Sequence, residues 1–148
     1  LHYPLRRQRQ MCIRDSISSV YYPKYVTRQH YETCRRKQPY DSSSEGAKQG
    51  GFGGLLSIEF VTSTTAQVFY DSLACAKGPS LGTNCTLACP YTLLAHYAEL
   101  DWAAEMDVSD KLVRVSIGLE ETNALLHVFA TALDAARQAQ AQAQAQAV

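Results

Sequence analysis

The strongest constraint on the fold comes from residues 112–117, a short segment in which apolar side chains occupy every second position. Val113, Val115 and Ile117 point to one side of an extended chain, whereas Arg114 points to the other. This alternation predicts a β-strand that buries one face on a core and presents its other face to a cavity, a partner or solvent. The arginine on that second face is therefore a candidate functional residue.

A second strand is predicted at residues 55–61, where Leu56, Ile58 and Phe60 point to one side. Shorter apolar segments predict strands at residues 20–22 and 86–89. Helical patterns separate these segments, so strands and helices alternate along the chain. The predicted fold class is α/β, of the α+β type, with helices packed on one face of a small mixed or antiparallel sheet.

Four helices are predicted from apolar spacing and from start and stop signals. The first covers residues 28–37, and the second opens with a capping box formed by Thr64 and Gln67. The third begins at Pro90, and the fourth covers residues 121–136. The apolar residues expected on the inner faces of the last three helices are Phe69, Leu73 and Ala76; Leu93, Leu94, Tyr97 and Leu100; and Leu125, Leu126, Phe129 and Leu133.

The two ends differ from the rest of the chain in composition. Residues 1–16 carry four arginines and one acidic residue, which on charge alone suggests a basic arm. However, residues 11–16 resemble a translated sequencing adaptor, so we interpret this stretch as a non-native leader. Residues 138–148 alternate Gln and Ala, which favours a solvated helical extension. One domain is therefore expected over residues 17–137.

Charge and cysteine usage exclude several function classes. Fourteen Lys and Arg residues balance fourteen Asp and Glu residues, which argues against nucleic acid or an anionic membrane as the main partner. No apolar run reaches the length of a membrane span. The five cysteines are an odd number without framework spacing, which indicates reduced thiols and a cytoplasmic protein.

Metal, nucleotide and nucleophile sites are not favoured by the sequence. Cys75, Cys85, Cys89 and His96 do not match the spacing of paired zinc ligands, and we interpret the cysteines as small buried hydrophobic side chains. The glycine-rich residues 50–54 precede a strand instead of following one, so they do not form a nucleotide-binding fingerprint. No Cys–His or Ser–His pair is suggested strongly enough to nominate a nucleophile.

A glycine-bounded loop at residues 78–83, Gly-Pro-Ser-Leu-Gly-Thr, is the second candidate feature. Its glycines let backbone amides approach a ligand, and Ser80 and Thr83 offer hydroxyl groups. Arg114 can pair with a carboxylate through two parallel hydrogen bonds, which fixes both position and orientation. Pattern alone also fits a solvated arginine and an ordinary turn, so both interpretations stay open at this point.

Two strings, in this order, resemble the C-terminal domain of the Cys/Met-metabolism enzymes that depend on pyridoxal 5′-phosphate (PLP). The loop at residues 78–83 is similar to the family's Ser-Leu-Gly loop, and residues 112–120, LVRVSIGLE, resemble its closing strand motif LxRxSxGLE. Residues 76–102 are most similar to fungal cystathionine γ-synthase-like members. The resemblance covers about residues 19–137 and implies the C-terminal domain fold of the fold-type I PLP enzymes.

The resemblance also implies roles for individual residues. Arg114 is expected to bind the α-carboxylate of the amino-acid substrate and Ser80 to contact it, while Leu81, Gly82 and Thr83 line the pocket. The implied reaction is γ-replacement on an activated homoserine ester by cysteine, with PLP as the cofactor of the intact parent. Many members carry an acidic residue directly before the Ser-Leu-Gly string. This chain has Pro79 there, which leaves γ-lyase and sulfhydrylase activities as alternatives.

The family's PLP-binding domain has no counterpart in this sequence. PLP chemistry requires a Schiff-base lysine, which in the family follows Ser or Thr. The lysines that lack this context are Lys24, Lys37, Lys48, Lys77 and Lys111. We therefore expect a fragment that is inactive alone, from a homo-oligomeric parent completed by a large PLP domain. The rival hypothesis is a non-enzymatic interaction module that uses the basic leader and the Gln/Ala tail.

Overall fold

The computed structural model describes residues 16–35 and 51–146, in which strands and helices alternate. The elements in chain order are β1 (Ile17–Tyr21), α1 (Arg28–Cys34), β2 (Leu55–Phe60), α2 (Ser63–Ser72), β3 (Ala76–Lys77), β4 (Leu87–Cys89), α3 (Tyr91–Ala95), a 3₁₀ turn (Tyr97–Glu99), α4 (Leu100–Glu105), β5 (Leu112–Ser116) and α5 (Thr122–Gln146). The predicted succession of strands and helices is present, with differences at several boundaries.

The five strands form one mixed sheet in the order β1-β2-β5-β4-β3. The central strand β5 is antiparallel to both β2 and β4, and β1 is antiparallel to β2. Only β3 and β4, among the described strands, pair in parallel. Helices α2 and α5 pack together over the apolar side of this sheet. The predicted α+β class with a small mixed sheet is confirmed.

The core lies between the apolar face of the sheet and helices α2 and α5. The buried side chains from the two central strands are Ile58, Phe60, Val113 and Val115. Phe69 of α2 is fully buried, and its ring centroid lies 4.8 Å from that of Phe60 and 6.3 Å from that of Phe129. Helix α5 contributes Ala132 and Ala136, whose small side chains let the helix approach closely. The alternation predicted for both strands is confirmed.

The start of helix α2 differs from the prediction. Thr62 has an extended backbone and forms the N-cap, and its Oγ1 accepts a hydrogen bond from the backbone N–H of Thr65 at 3.1 Å. The capping box predicted from Thr64 and Gln67 is therefore wrong, because both residues lie inside the helix and are exposed. The helix also ends before Ala76, which belongs to β3 instead of the helical inner face.

This assignment predicts that Thr62→Ala destabilises the chain by about 1 kcal/mol, whereas Thr64→Ala has almost no effect. The first substitution removes the acceptor for a backbone N–H that has no partner within the helix. The second changes an exposed side chain within the first turn. Urea unfolding of both variants measures the difference, and equal losses of stability would contradict the assigned cap.

The segment after Pro90 is not the single helix that was predicted. It breaks at His96, so that α3, the 3₁₀ turn and α4 follow one another as short pieces. The predicted inner face is also wrong: Leu93, Leu94 and Tyr97 are exposed and Leu100 is only partly buried. Thr92 is buried in their place, because its hydroxyl donates to the carbonyl of Ser109 at 2.7 Å and turns that side of α3 inward.

Helix α5 continues through the Gln/Ala repeat to Gln146, as predicted. Gln140 ties the beginning of the repeat to α2, because its Oε1 accepts a hydrogen bond from Oγ1 of Thr65 at 2.7 Å. Residues 141–146 are exposed. Leu126, predicted to face the core, is 63% exposed, because the buried side of the helix is the one that carries Ala132 and Ala136.

The remaining boundary predictions concern the N-terminal part. Strand β1 begins at Ile17, and Ser16 is buried with its carbonyl accepting from the N–H of Val61 at 3.1 Å. Helix α1 ends at Cys34, earlier than predicted, because Arg35 is already extended. The predictions for residues 1–15, 36–50 and 147–148, including Lys37 and Lys48, lie outside the described residues. No helix in the described ranges is long and apolar enough to cross a membrane.

Candidate functional site

Arg114 lies at the centre of β5, directly opposite Ser57 on β2 and Cys89 on β4. Alternation along the strand places its side chain on the sheet face away from Val113 and the helical core. The side chain is partly exposed, and its Nη2 donates to the carbonyl oxygen of Pro79 at 2.6 Å. The structure therefore brings together the arginine and the loop that the sequence singled out.

The guanidinium of Arg114 also stacks on an aromatic ring that sequence reasoning missed. Its Cζ lies 4.6 Å from the ring centroid of Tyr91, which is the first residue of α3. A cation over an aromatic face is held by attraction to the ring's π-electrons, and the planar guanidinium suits this arrangement. The ring therefore restricts the plane of the arginine head group. No local sequence signal identifies Tyr91, because only the β4–β5 pairing brings it near Arg114.

The loop at residues 78–83 is tied to the sheet at both ends. The N–H of Gly78 donates to the carbonyl of Ala88 at 3.0 Å, and the N–H of Gly82 donates to Oγ of Ser116 at 3.2 Å. Gly82 has φ of 68°, in the left-handed region that favours glycine. The exposed Ser80 and Leu81 lie between these two ties and directly follow Pro79, the residue that Arg114 contacts.

Thr83 is engaged within its own turn, because its hydroxyl donates to the carbonyl of Cys85 at 2.6 Å. The chain after it is held by Glu120, whose two carboxylate oxygens accept from the backbone N–H of Thr86 at 2.5 Å and from its hydroxyl at 2.8 Å. These hydrogen bonds, chiefly the one from the Thr86 backbone, lower the pKa of Glu120 below its ordinary value.

Acidification is expected to release Thr86 from Glu120 only below the ordinary glutamate pKa of 4.5. Because folding lowers the pKa of this carboxyl, its contribution to stability is complete above the unfolded value and is lost as pH falls through the lower folded value. An NMR titration of the Thr86 amide measures this, and Glu120→Gln should remove the transition. A midpoint at or above the ordinary value would contradict the assignment.

The four residues considered as zinc ligands do not assemble a site. Within the ranges that the structure describes, no three or more His, Cys, Asp or Glu side chains are grouped to hold a metal. Of the cysteines, Cys89 is buried as expected and Cys75 is partly buried, but Cys85 is exposed, so the buried interpretation is wrong for that residue. Burial raises the pKa of the Cys89 thiol, and the charge of Arg114 partly offsets this effect.

Lys77 precedes the loop and is the described lysine nearest to it in sequence. Its ammonium donates to the carbonyl oxygens of Leu73, at 2.8 Å, and Tyr70, and it lies 4.2 Å from the Tyr70 ring centroid. These contacts satisfy carbonyls at the end of α2. The ammonium of Lys77 is therefore hydrogen-bonded to the end of the helix, which does not fit the role of a Schiff-base lysine.

The glycine-rich strand entry contributes to a cavity away from Arg114. The carbonyl of Gly54 accepts from the N–H of Ile117 at 2.7 Å, and the carbonyl of Gly53 accepts from the hydroxyl of Tyr22 at 3.1 Å. The cavity has a volume of about 380 Å³ and is lined by Val20, Tyr22, Tyr25, Gly53, Gly54, Leu56 and Ile117. Leu56 and Ile117 also pack on the core, which places this space on the helical side of the sheet.

Several known proteins are similar to this chain in sequence, although no protein-family model matches it. A cystathionine γ-synthase-like enzyme of Amanita muscaria is 52% identical over 126 residues, which cover 84% of this chain and 20% of that enzyme. Cystathionine γ-synthase of Neurospora crassa is 46% identical over 123 residues, covering 82% and 18%. That of Saccharomyces cerevisiae is 45% identical over 117 residues, covering 79% and 17%. The chain thus spans about a fifth of the length of these relatives.

Solved structures show the same fold. Cystathionine γ-synthase from Xanthomonas oryzae pv. oryzae, in complex with cystathionine, has a TM-score of 0.65 at 24% identity, covering 92% of this chain and 35% of that one. Cystathionine γ-lyase from yeast has a TM-score of 0.64 at 25% identity, covering 87% and 31%. The similarity in sequence and in fold agrees with the resemblance that the motifs around Arg114 and the loop indicated. Sequence and fold therefore relate most of this chain to one part of the cystathionine γ-synthase-like enzymes.

Proposed function

We propose that this chain is the part of a cystathionine γ-synthase-like enzyme that binds the α-carboxylate of the amino-acid substrate. The observation that carries the proposal is the guanidinium of Arg114, held between the carbonyl of Pro79 and the ring of Tyr91. The whole enzyme would replace the γ-substituent of an activated homoserine ester with cysteine and form cystathionine. The names of the fungal relatives support this reaction.

The arginine suits a carboxylate because of its donor geometry. A guanidinium carries five N–H donors in one plane, and the contact with Pro79 occupies a donor on Nη2. Further donors can form paired hydrogen bonds with the two oxygens of a carboxylate. Tyr91 below the plane limits rotation of the head group, so less motion is lost when the substrate binds. The arginine therefore fixes the substrate's α-carbon and the direction of its side chain.

The adjacent loop completes the proposed site. Ser80 directly follows Pro79 and offers a hydroxyl that can donate to the same carboxylate. Leu81, Gly82 and Thr83 form the wall, with Gly82 bonded to β5 through Ser116. A neighbouring structure contains aminoacrylate and cysteine, which are ligands of the chemical class that such a site would hold.

PLP would supply electron withdrawal from the substrate's α-carbon when bound to the whole enzyme. The lysine nearest to the loop holds the end of α2, so in this proposal the Schiff-base lysine belongs to a large PLP domain outside the described residues. This chain alone is then inactive, and the PLP domain is its partner within a homo-oligomer. Free thiols at the four described cysteines support a cytoplasmic location.

A γ-lyase or sulfhydrylase activity of the whole enzyme is the second candidate. Pro79 stands where many family members have an acidic residue, and one structural neighbour is a γ-lyase. The interaction-module hypothesis is not favoured, because the aligned region covers 84% of the chain and matches an enzyme.

Sequencing the genomic DNA upstream of this segment tests the proposal first. An in-frame domain with a Thr-Lys motif is expected, whereas a native start within the leader would contradict a missing PLP domain. The protein from the complete reading frame is then supplied with PLP, an O-acyl-L-homoserine and L-cysteine. Cystathionine formation is expected. Faster cleavage of cystathionine, or faster incorporation of sulfide, would favour the second candidate.

A further inference from the structure

We infer that Ser116, Gly118, Glu120 and Thr86, together called the loop clamp, position the substrate loop in front of Arg114. The inference rests on the proposed function, since it assigns these residues a part in the same site. The loop clamp touches no substrate in this scheme. It acts through the backbone of residues 82–86, which it holds against the end of β5.

The first contact of the loop clamp comes from the strand that carries the arginine. Ser116 is only 5% exposed, and its Oγ accepts from the N–H of Gly82 at 3.2 Å. Residues two apart on a strand share a face at a fixed spacing. The separation between Arg114 and the Gly82 anchor is therefore set by one rigid element.

The second contact encloses a buried threonine. Thr86 is 1% exposed, and its Oγ1 donates to Glu120 at 2.8 Å while accepting from the N–H of Gly118 at 2.9 Å. The backbone N–H of Thr86 donates to the other oxygen of the same carboxylate. The hydroxyl and the backbone N–H of Thr86 are thus both hydrogen-bonded to residues that follow β5. Loss of either partner would leave a buried group without a hydrogen bond.

The third contact is a close approach between two backbones. A Cβ at Gly118 would lie 2.5 Å from the carbonyl carbon of Cys85 and 2.6 Å from the carbonyl oxygen of Asn84. The next N–H, that of Leu119, donates to the same Asn84 oxygen at 2.9 Å. Only glycine allows this approach, so three contacts converge on the chain that follows the loop.

A short segment of the loop lies between its two anchors and faces the arginine. The loop begins at Gly78, bonded to Ala88 of β4, and the loop clamp holds it again from Gly82 onward. Pro79 and Ser80 lie between these anchors, with the Pro79 carbonyl on Arg114. Loosening the loop clamp would therefore shift the carbonyl and hydroxyl that surround the guanidinium. The expected consequence is weaker substrate binding without a change in the reacting groups.

The first half of the test uses the full 148-residue chain and measures amide hydrogen exchange at Gly82 and Thr86. We expect Thr86→Val and Glu120→Gln to accelerate exchange at both amides, and Thr86→Ser to restore slow exchange because it keeps the hydroxyl. The matched control is Glu121→Gln. Glu121 has the same charge but accepts from the N–H of Ala124 at the start of α5. Unchanged exchange in Thr86→Val and Glu120→Gln would overturn the inference.

The second half measures kinetics of the PLP-bound enzyme from the complete reading frame. Thr86→Val and Glu120→Gln are expected to raise KM for the homoserine ester by about three- to tenfold with kcat nearly unchanged. Thr86→Ser and Glu121→Gln should keep the parental KM. If Arg114→Ala raises KM while the two loop-clamp variants do not, the inference fails and the proposed function stands. If Arg114→Ala leaves KM unchanged, both fail.

Discussion

Replacing Arg114 with alanine in the whole enzyme is expected to lower kcat/KM by at least about tenfold, equivalent to about 1.4 kcal/mol, mainly through a higher KM. The substitution removes the guanidinium donors that would pair with the substrate carboxylate and leaves only the Ser80 hydroxyl. It also removes the hydrogen bond to Pro79 and the contact with Tyr91. Steady-state kinetics with varied homoserine ester measure the effect.

Two further variants separate the proposed role from a general effect of charge. Arg114→Lys keeps a positive charge but loses the planar donors, so it should recover only part of the lost kcat/KM. Arg137→Ala removes an arginine of α5, the helix that packs on the sheet face opposite to Arg114, and should leave the kinetics unchanged. The Nη2 of Arg137 lies 3.6 Å from a carboxylate oxygen of Asp134. If Arg114→Ala keeps the parental KM for the homoserine ester, the proposed binding of the substrate carboxylate by Arg114 is rejected.

The central part of this fold was predictable because its signals are local. Alternation in the segments that became β2 and β5 fixed which side chains are buried, and so placed Arg114 on the opposite face. The same argument worked poorly for the helices. Two nearby threonines, Thr62 and Thr64, both suit a cap, and only the backbone conformation of Thr62 decides between them. Leu126 shows that an apolar side chain at helical spacing need not face the core.

The surroundings of Arg114 were less predictable because they depend on strand pairing. Tyr91 is distant from the arginine in sequence and reaches it only because β4 pairs with β5 and α3 follows β4. Thr86 gave no signal for the same reason, since the partner of its hydroxyl, Glu120, lies 34 residues away in sequence. The LxRxSxGLE string includes Ser116, Gly118 and Glu120 by resemblance, and the structure assigns a physical contact to each of them.

Gly118→Ala is expected to destabilise the full chain by about 2–3 kcal/mol, a cost typical of forcing added volume into a packed region. The new Cβ would meet the backbone of residues 84–86 at 2.5–2.6 Å, and backbone atoms cannot turn away as a flexible side chain can. Moving the chain apart would also break the hydrogen bonds that Thr86 and Leu119 make across this contact.

Gly78→Ala is the matched control for this prediction, because the same methyl group is added at the other end of the loop. There the Cβ would lie 3.8 Å from Cδ2 of Leu87, an ordinary contact, so stability should change by no more than about 0.5 kcal/mol. Urea unfolding compares the two variants directly. Similar stabilities would mean that the backbone segments at Gly118 and Thr86 can separate without a loss of stability. The loop would then lack the rigid support that places it beside Arg114.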